Sequence, residues 1–292
     1  MAYAVLAYVF WGFFAAFFPL LRPATPLEIL SHRILWTAVI MVIVLYATGT
    51  LRELRSATRR TWLTIFMAAT VIAINWLTYV VAVNGGNVAE AALGYFINPL
   101  VNVVMGMVFL GERLRPLQKL SVGIAASAVA LLTFAGGQPP ILGLILAFSF
   151  ASYGLIKKRV TMSATASLTA ETLVLLPIAA GFLGWLELRG DASFTEHGWP
   201  HAALLISCGI VTAIPLLCFG KGAKLVPLST LGMLQYMTPT VQMLWAVFIV
   251  HEHLTPIRWG GFVIIWISVS IYLIDLVLHR TGSRARRAKT AP

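Results

Sequence analysis

Two short polar motifs stand inside apolar stretches of the chain, each arranged around a proline. Asn98 and Asn102, one helical turn apart, flank Pro99, and Thr238 and Gln242 flank a second proline in the same way. A proline within a helix lacks the amide hydrogen and crowds the carbonyl four residues before it, so each motif predicts a broken helix with a free backbone acceptor. Matched polar groups of this kind suit the binding and passage of a small solute. The alternative is that the amides bond to neighbouring helices.

The two motifs are parts of a longer internal repeat. Residues 95–116 align without a gap with residues 235–256 at an offset of 140, so that Pro99 falls on Pro239. Such a repeat in an apolar chain is typical of membrane transporters that are built from two homologous halves. Helix breaks are therefore predicted at Pro99 and Pro239, at matching depth in the two halves.

The composition sets the class of protein. Of the 292 residues, 59% are hydrophobic and only 11% are charged, whereas about 25% of the residues of a soluble domain are charged. Apolar runs of about 20 residues, the length that crosses a bilayer as a helix, follow one another along the chain. We therefore predict an all-α polytopic membrane protein with ten transmembrane helices. The predicted spans are residues 2–21, 27–46, 62–83, 88–110, 117–134, 141–157, 168–187, 200–219, 227–249 and 257–278.

The positions of the basic residues predict the orientation in the membrane. With ten spans and a cytoplasmic N-terminus, 17 Lys and Arg residues lie on the cytoplasmic side and 3 on the other side, which is a strong positive-inside pattern. This predicts a multi-pass protein of the cell membrane (inner or plasma membrane) with both termini cytoplasmic. The net charge of +11 then reflects topology and contact with anionic lipid, so no nucleic acid partner is expected.

The count of spans also predicts that the two halves are inverted. The repeat carries the fourth span onto the ninth, and five is an odd number, so the two copies cross the membrane in opposite directions. The predicted domains are a first five-helix repeat over residues 1–137, a second, inverted five-helix repeat over 138–279, and a basic, disordered cytoplasmic tail over 280–292.

Several stretches resemble a known family of membrane proteins. The segments AYVFWG, LEILSHRILW, LGYFINPLVN, FLGERLRPLQ and PLSTLGMLQYMTPT are similar to the RarD-type branch of the EamA-repeat transporters, in the drug/metabolite transporter superfamily. The chain departs from the family pattern at His251-Glu252-His253, where the second copy usually has Gly-Glu. The resemblance implies ten helices, five plus five inverted, around a central cavity that is lined mainly by the first four helices of each half.

Amide and aromatic side chains along the predicted spans are candidates for lining a substrate pathway. Asn75 and Tyr79 lie four residues apart on one helical face. Amides combined with aromatic rings suit a moderately large, partly apolar organic molecule; the alternative is that the rings only pack between helices. The candidate pathway residues are Trp11, His32, Arg33, Asn75, Trp76, Tyr79, Tyr95, Asn98, Asn102, Gln235, Tyr236, Gln242 and Trp245.

Ionisable residues within the spans are further candidates, because a charge inside a membrane is costly and is generally retained for function. Arg33 is predicted to hold an anionic group of a substrate or to form an ion pair in a gate; the alternative is pairing with Glu28 or with a helix carbonyl. Glu28, Glu90 and Glu171 are candidates for binding a coupling proton or ion. Glu171 falls on Arg33 where the local offset of the repeat is 138, on the opposite side of the membrane.

These features favour a secondary transporter, an exporter or permease that moves small organic metabolites or drug-like solutes by alternating access. The alternatives are a membrane-embedded enzyme and a non-transporting structural or regulatory membrane protein. The sequence shows no nucleophile, metal or acid–base cluster, so no catalytic residue, metal or cofactor is expected. The expected partners are a small organic substrate and membrane lipid. Gly123 and Ser127 allow the close helix contact of a homodimer, or equally packing within one chain.

Overall fold

The computed structural model describes residues 1–84, 88–135, 141–251 and 253–289, with side chains for 1–82, 92–134, 141–251 and 253–279. In this part of the chain every regular element is a helix. The elements are α1 (Ala2–Gly12), α2 (Phe14–Phe17), a 3-10 helix (Phe18–Leu21), α3 (Pro26–Ala47), α4 (Leu51–Arg55), α5 (Arg59–Asn84), α6 (Val88–Leu110), α7 (Pro116–Ala135), α8 (Ile141–Arg159), α9 (Ala164–Arg189), α10 (Ser193–Glu196), α11 (Gly198–Leu225), α12 (Leu228–Gln235), α13 (Met237–Phe248) and α14 (Pro256–Lys289).

Nine helical segments in the described ranges are long and apolar enough to cross a membrane. The first of them, Ala2–Leu21, combines α1, α2 and the 3-10 helix. This confirms the prediction of an all-α polytopic membrane protein. The span predicted at 227–249 consists of two shorter helices, α12 with 8 residues and α13 with 12. Neither helix alone has the length of a membrane crossing, so the number ten stays a prediction.

The structure contains one of the two helix breaks that the sequence predicts. α6 continues through Pro99 without interruption, so the break predicted there is wrong. One proline removes a single backbone hydrogen bond, and packing against neighbouring helices keeps such a helix on its course. In the second copy the chain is divided at Tyr236, and Pro239 lies in the first turn of α13. A first turn has no use for the missing amide hydrogen, so the proline is tolerated there.

The prediction of a disordered tail over residues 280–292 stays a prediction. The structure describes α14 as far as Lys289. The tail is rich in Ala, Arg and Lys, and these residues have high helix propensities.

Helices of the first half pack mainly against helices of the second half. α1 contacts α11 and α13, α3 contacts α9 and α11, α6 contacts α8 and α12, and α7 contacts α14. The largest apolar core lies between α1, α3, α5, α8, α9, α11 and α12. The two halves are therefore intertwined and share one core.

Residues at equivalent positions of the two halves meet in the middle of the molecule. The rings of Trp11 and Phe150, which are 139 residues apart, have their centroids 5.5 Å from each other. The hydroxyl of Tyr236 donates to the carbonyl of Phe96, 140 residues before it, at 3.2 Å. Contacts between equivalent residues occur where a pseudo-two-fold axis passes, as in transporters with inverted repeats.

Candidate functional site

The amides of the first polar motif bond to one another and to the second half. Nδ2 of Asn102 donates to Oδ1 of Asn98 at 2.7 Å and to Oε1 of Gln235 at 3.2 Å. The three side chains are at most 4% exposed. A Cβ added at Gly232 would lie 2.6 Å from the carbonyl oxygen of Pro99, which shows how closely α12 approaches α6. In the structure these amides hold two helices together, as in the alternative that the sequence left open.

The second polar motif is bonded to the backbone of α1. The hydroxyl of Thr238 donates to the carbonyl of Tyr8 at 2.9 Å, and Nε2 of Gln242 is 3.5 Å from the carbonyl of Trp11. Trp245, three residues further on, is half-buried. The polar side of α13 therefore lies against a helix of the first half.

Asn75, predicted in the pathway, also belongs to a helix contact. Its Nδ2 donates to the carbonyl of Leu146 and to the hydroxyl of Ser149, each at 2.9 Å. Both acceptors are on α8, and the Asn75 side chain is buried. Asn75 therefore joins α5 to α8.

Arg33 lies among aromatic rings between helices of both halves. Its guanidinium carbon is 4.9 Å from the ring centroid of Trp76, 5.4 Å from that of Phe18 and 5.6 Å from that of Phe14. Its Nε donates to the hydroxyl of Thr212, on α11, at 3.1 Å. The side chain is half-buried. Four helical segments of both halves thus converge on one arginine.

Two tyrosines complete the surroundings of Arg33. Tyr79 and Tyr95 lie near Arg33, and their ring centroids are 6.1 Å apart. Both rings, like Trp76 and Trp11, keep part of their surface accessible. We call Phe14, Phe18, Trp76, Tyr79 and Tyr95 the aromatic cage of Arg33. The sequence predicted three of these five rings and missed Phe14 and Phe18.

Glu28 is not the partner of Arg33. Its carboxylate accepts from the amide and the hydroxyl of Ser193 at 2.8 and 2.9 Å. It also forms a capping box with Thr25 at the start of α3. The carboxylate therefore ties the start of α3 to the first residue of α10, and the predicted alternative of pairing with Arg33 is wrong.

His32 points away from Arg33. Its Nδ1 accepts from the indole nitrogen of Trp36 at 3.2 Å, and its ring stacks on Phe194 with centroids 5.0 Å apart. The side chain is buried. His32 thus packs between α3 and α10, apart from the aromatic cage.

Glu171 forms a buried ion pair that the sequence did not predict. Nζ of Lys157 is 2.7 Å from its carboxylate, with the two side chains 1% and 2% exposed. The hydroxyl of Ser167 donates to the same oxygen at 2.6 Å, and the hydroxyl of Tyr153 donates to the other at 2.9 Å. The positive-inside count treats Lys157 as a loop residue, whereas it points back into the bundle. Tyr153 and Lys157 lie four residues apart, on one face of the helix that precedes Glu171, and this spacing was the signal in the sequence for a partner of Glu171. The side chain of Glu90 lies outside the described residues.

An aromatic column extends from Tyr153, which bonds to Glu171, to Trp11 in the first half. The ring of Phe219 stacks on that of Tyr153 at 5.7 Å, and its centroid is 5.3 Å from that of Phe150 and 5.5 Å from that of Trp11. Phe150, Tyr153 and Phe219 were not predicted. The local offset of 139, which places Trp11 on Phe150, was the signal that would have identified Phe150.

The described residues contain no group of three or more His, Cys, Asp or Glu side chains that is arranged to hold a metal ion. The helix face proposed for a homodimer contains Gly123, which is exposed and has open space where a Cβ would lie. The homodimer stays a prediction.

Known proteins similar to this chain are membrane transporters. The EamA-like transporter family matches residues 1–134 and 139–274. Protein RarD of Streptomyces exfoliatus is 46% identical, over 100% of this chain and 93% of that protein. An uncharacterized transporter of Pseudomonas aeruginosa is 41% identical, over 92% of this chain and 91% of that protein. A crystal structure of a protein with 17% identity has the same fold, with a TM-score of 0.72 over 92% of this chain and 95% of the other.

Proposed function

Because the chain belongs to the RarD-type branch of the EamA-like transporter family, we propose that this membrane transporter is a secondary carrier of small organic solutes that works by alternating access. On this proposal the chain moves a solute and catalyses no reaction. The solute passes the aromatic cage of Arg33 and then the aromatic column around Trp11. Side chains of the cage suit this role because they lie deep in the bundle and still keep accessible surface.

The contact between equivalent residues carries the proposal of alternating access. Trp11 and Phe150 meet at 5.5 Å, and each comes from the first membrane helix of its half. When two inverted halves exchange their conformations, the outward-open and inward-open states are produced by the same motion. Residues on the axis between the halves stay at the centre of the bundle during that motion. A bulky aromatic pair at this position separates the outer from the inner part of the pathway.

We further propose that the protein lies in the cell membrane with both termini cytoplasmic and exports its solute. The distribution of basic residues supports the orientation. Both described carboxylates that the sequence suggested for coupling are engaged, Glu28 as a cap and Glu171 in an ion pair. Coupling through Glu28 or Glu171 would therefore require the contact of that carboxylate to open during transport.

Counterflow in vesicles tests the proposed function. The full-length protein is reconstituted in liposomes with three probes of equal ring and different charge: 4-nitrobenzoate, 4-nitrobenzamide and 4-nitrobenzylammonium. We expect saturable, protein-dependent exchange of at least one probe. The variant Trp11→Ala/Phe150→Ala should lower that exchange at least about tenfold, whereas Trp185→Ala, which removes an exposed tryptophan at the end of α9, should not. Protein-dependent exchange of none of the probes would contradict the proposal, and a pH gradient that drives exchange would establish coupling.

A further inference from the structure

We propose that Arg33 binds the anionic group of the transported solute and that the aromatic cage holds the solute's apolar part, so that the cargo class is small apolar or aromatic monocarboxylates. This inference rests on the proposed transport function. It names the charge and the binding residue, which the family membership leaves open.

Arg33 and Glu171 occupy equivalent positions. Arg33 comes eight residues after Thr25, which caps α3, and Glu171 comes eight residues after Ser163, which caps α9. The helix caps and the charged residues therefore share the local offset of 138. Both charged side chains lie about two turns into the second membrane helix of their half.

The residues that face these two positions are also equivalent. At the offset of 139 that joins Trp11 to Phe150, Phe14 falls on Tyr153 and Phe18 falls on Lys157. Phe14 and Phe18 lie over the guanidinium of Arg33. Tyr153 and Lys157 bond to the carboxylate of the second half. One geometry thus places a charged residue against two residues of the preceding membrane helix in both halves.

Glu171 and Arg33 differ in the number of hydrogen-bond partners that the protein supplies to the charged group. The carboxylate of Glu171 has an ammonium and two hydroxyls as partners, all supplied by the chain. Arg33 has one hydrogen-bond acceptor, the hydroxyl of Thr212, in the described part of the chain. A guanidinium has five N–H donors, so its two terminal nitrogens donate to no acceptor among the described residues. Its half-buried position leaves these donors accessible.

The chemistry of the free donors selects an anion. A guanidinium binds a carboxylate through two parallel hydrogen bonds, and aromatic rings stabilise the cation without using its N–H groups. No described carboxylate pairs with Arg33, and among the described residues Arg33 is the one Lys or Arg side chain that lies over rings of the cage. A single positive charge is balanced by a monoanion. The rings of Trp76 and the two tyrosines provide an apolar surface beside it.

Binding of charge-matched probes tests the inference. The dissociation constants of 4-nitrobenzoate and 4-nitrobenzamide are measured by calorimetry with the purified full-length protein in detergent. We expect the carboxylate to bind at least about tenfold more tightly than the amide. Arg33→Gln should remove this preference by weakening carboxylate binding while leaving amide binding within about twofold. Arg33→Lys should keep part of the preference, because the charge remains and the paired hydrogen bonds are lost.

Arg189→Gln is the matched control. Arg189 also lies over a tryptophan, with its guanidinium 4.2 Å from the ring centroid of Trp185, but it is exposed at the end of α9. This variant should bind both probes as the wild type does. Equal binding of the two probes by the wild type overturns the inference, whatever the variants do. A preference that persists in Arg33→Gln overturns the assignment to Arg33.

The counterflow measurement separates a failure of this inference from a failure of the transport function. Saturable exchange of 4-nitrobenzamide without a preference for 4-nitrobenzoate would leave the protein a transporter and refute the anionic cargo. Exchange of none of the three probes, together with no binding, would contradict both. If Arg33→Gln does not elute as a single species in size-exclusion chromatography, Arg33→Lys and the preference of the wild type decide.

Discussion

Replacing one member of the buried ion pair should destabilise the protein strongly. Lys157→Met removes the ammonium that lies 2.7 Å from the Glu171 carboxylate, where the two side chains are 1% and 2% exposed. Removing one partner of a buried pair costs about 3–5 kcal/mol, since an uncompensated charge is left away from water. The hydroxyls of Ser167 and Tyr153 remain bonded to the carboxylate and limit the loss, each by about 1 kcal/mol. We therefore expect the free energy of unfolding to fall by about 1–3 kcal/mol.

A double-mutant cycle isolates the interaction between the two charges. Glu171→Leu alone leaves the ammonium of Lys157 buried with the Ser167 hydroxyl and the Tyr153 ring, and should cost a similar amount. Lys157→Met combined with Glu171→Leu removes both charges together, so the double variant should be within about 1 kcal/mol of the wild type or more stable. The free energies of unfolding are measured for the purified protein in bicelles. Lys119→Met, which removes an exposed lysine at the start of α7, is the control and should stay within about 0.5 kcal/mol.

Two outcomes would refute this reasoning. Single variants that each cost less than about 1 kcal/mol would mean that the pair is hydrated and contributes little, as exposed pairs do. A double variant whose loss equals the sum of the two single losses would show that Lys157 and Glu171 act independently. In either case the contact that the structure shows does not hold α8 to α9.

Two further predictions concern the contacts of α12. Gly232→Ala should lower the free energy of unfolding by about 1–3 kcal/mol, because the new Cβ would lie 2.6 Å from the carbonyl oxygen of Pro99. Gly123→Ala, where a Cβ meets nothing within 4 Å, is the control and should change this free energy by less than about 0.5 kcal/mol. Equal effects of the two variants in thermal melts would contradict the close approach of α6 and α12. Glu112→Ala should lower the free energy of unfolding by about 1–2 kcal/mol, because the Glu112 carboxylate accepts from the amides of Leu228 and Ser229 at 2.6 and 2.9 Å. Glu112→Gln keeps an acceptor and should lower the free energy of unfolding by less. An Ala variant as stable as the wild type would show that Glu112 does not cap α12.

The sequence predicted the membrane fold because the length of each apolar run is a local property. Eight of the membrane helices were predicted as single runs and appear as single helices, and the first run appears as three connected segments. The span at 227–249 is divided at Tyr236, directly after Gln235, whose carbonyl Pro239 leaves free, whereas α6 continues through Pro99. A proline marks where a hydrogen bond is missing, but whether the helix breaks there also depends on what packs beside it, which no local pattern contains.

The candidate site was harder to predict because its contacts join distant parts of the chain. Arg33 was identified, since a charge in an apolar run is visible in the sequence, but its partner Thr212 is 179 residues away. The role of Asn102 was undecided, because a buried amide satisfies the same requirement by facing a cavity or another helix. Glu28 had a local signal that was overlooked. Thr25-x-x-Glu28 at the start of an apolar run is the signature of a capping box.

The partners of Arg33 and Glu171 differ, and this difference has a consequence for transport. Two inverted halves exchange conformations most readily when they are energetically equivalent, and in the structure they are unequal. The second half contains a neutral ion pair between Lys157 and Glu171, whereas the first half has a cation held by aromatic rings. On the proposal made for Arg33, a bound monocarboxylate supplies the missing charge, so each half then contains one neutral pair at the equivalent position. Loading of the solute would thus make the two halves electrostatically alike, and the loaded carrier would exchange conformations faster than the empty one. Counterflow of 4-nitrobenzoate should accordingly be faster than its net efflux, and equal rates would count against this coupling between cargo and motion.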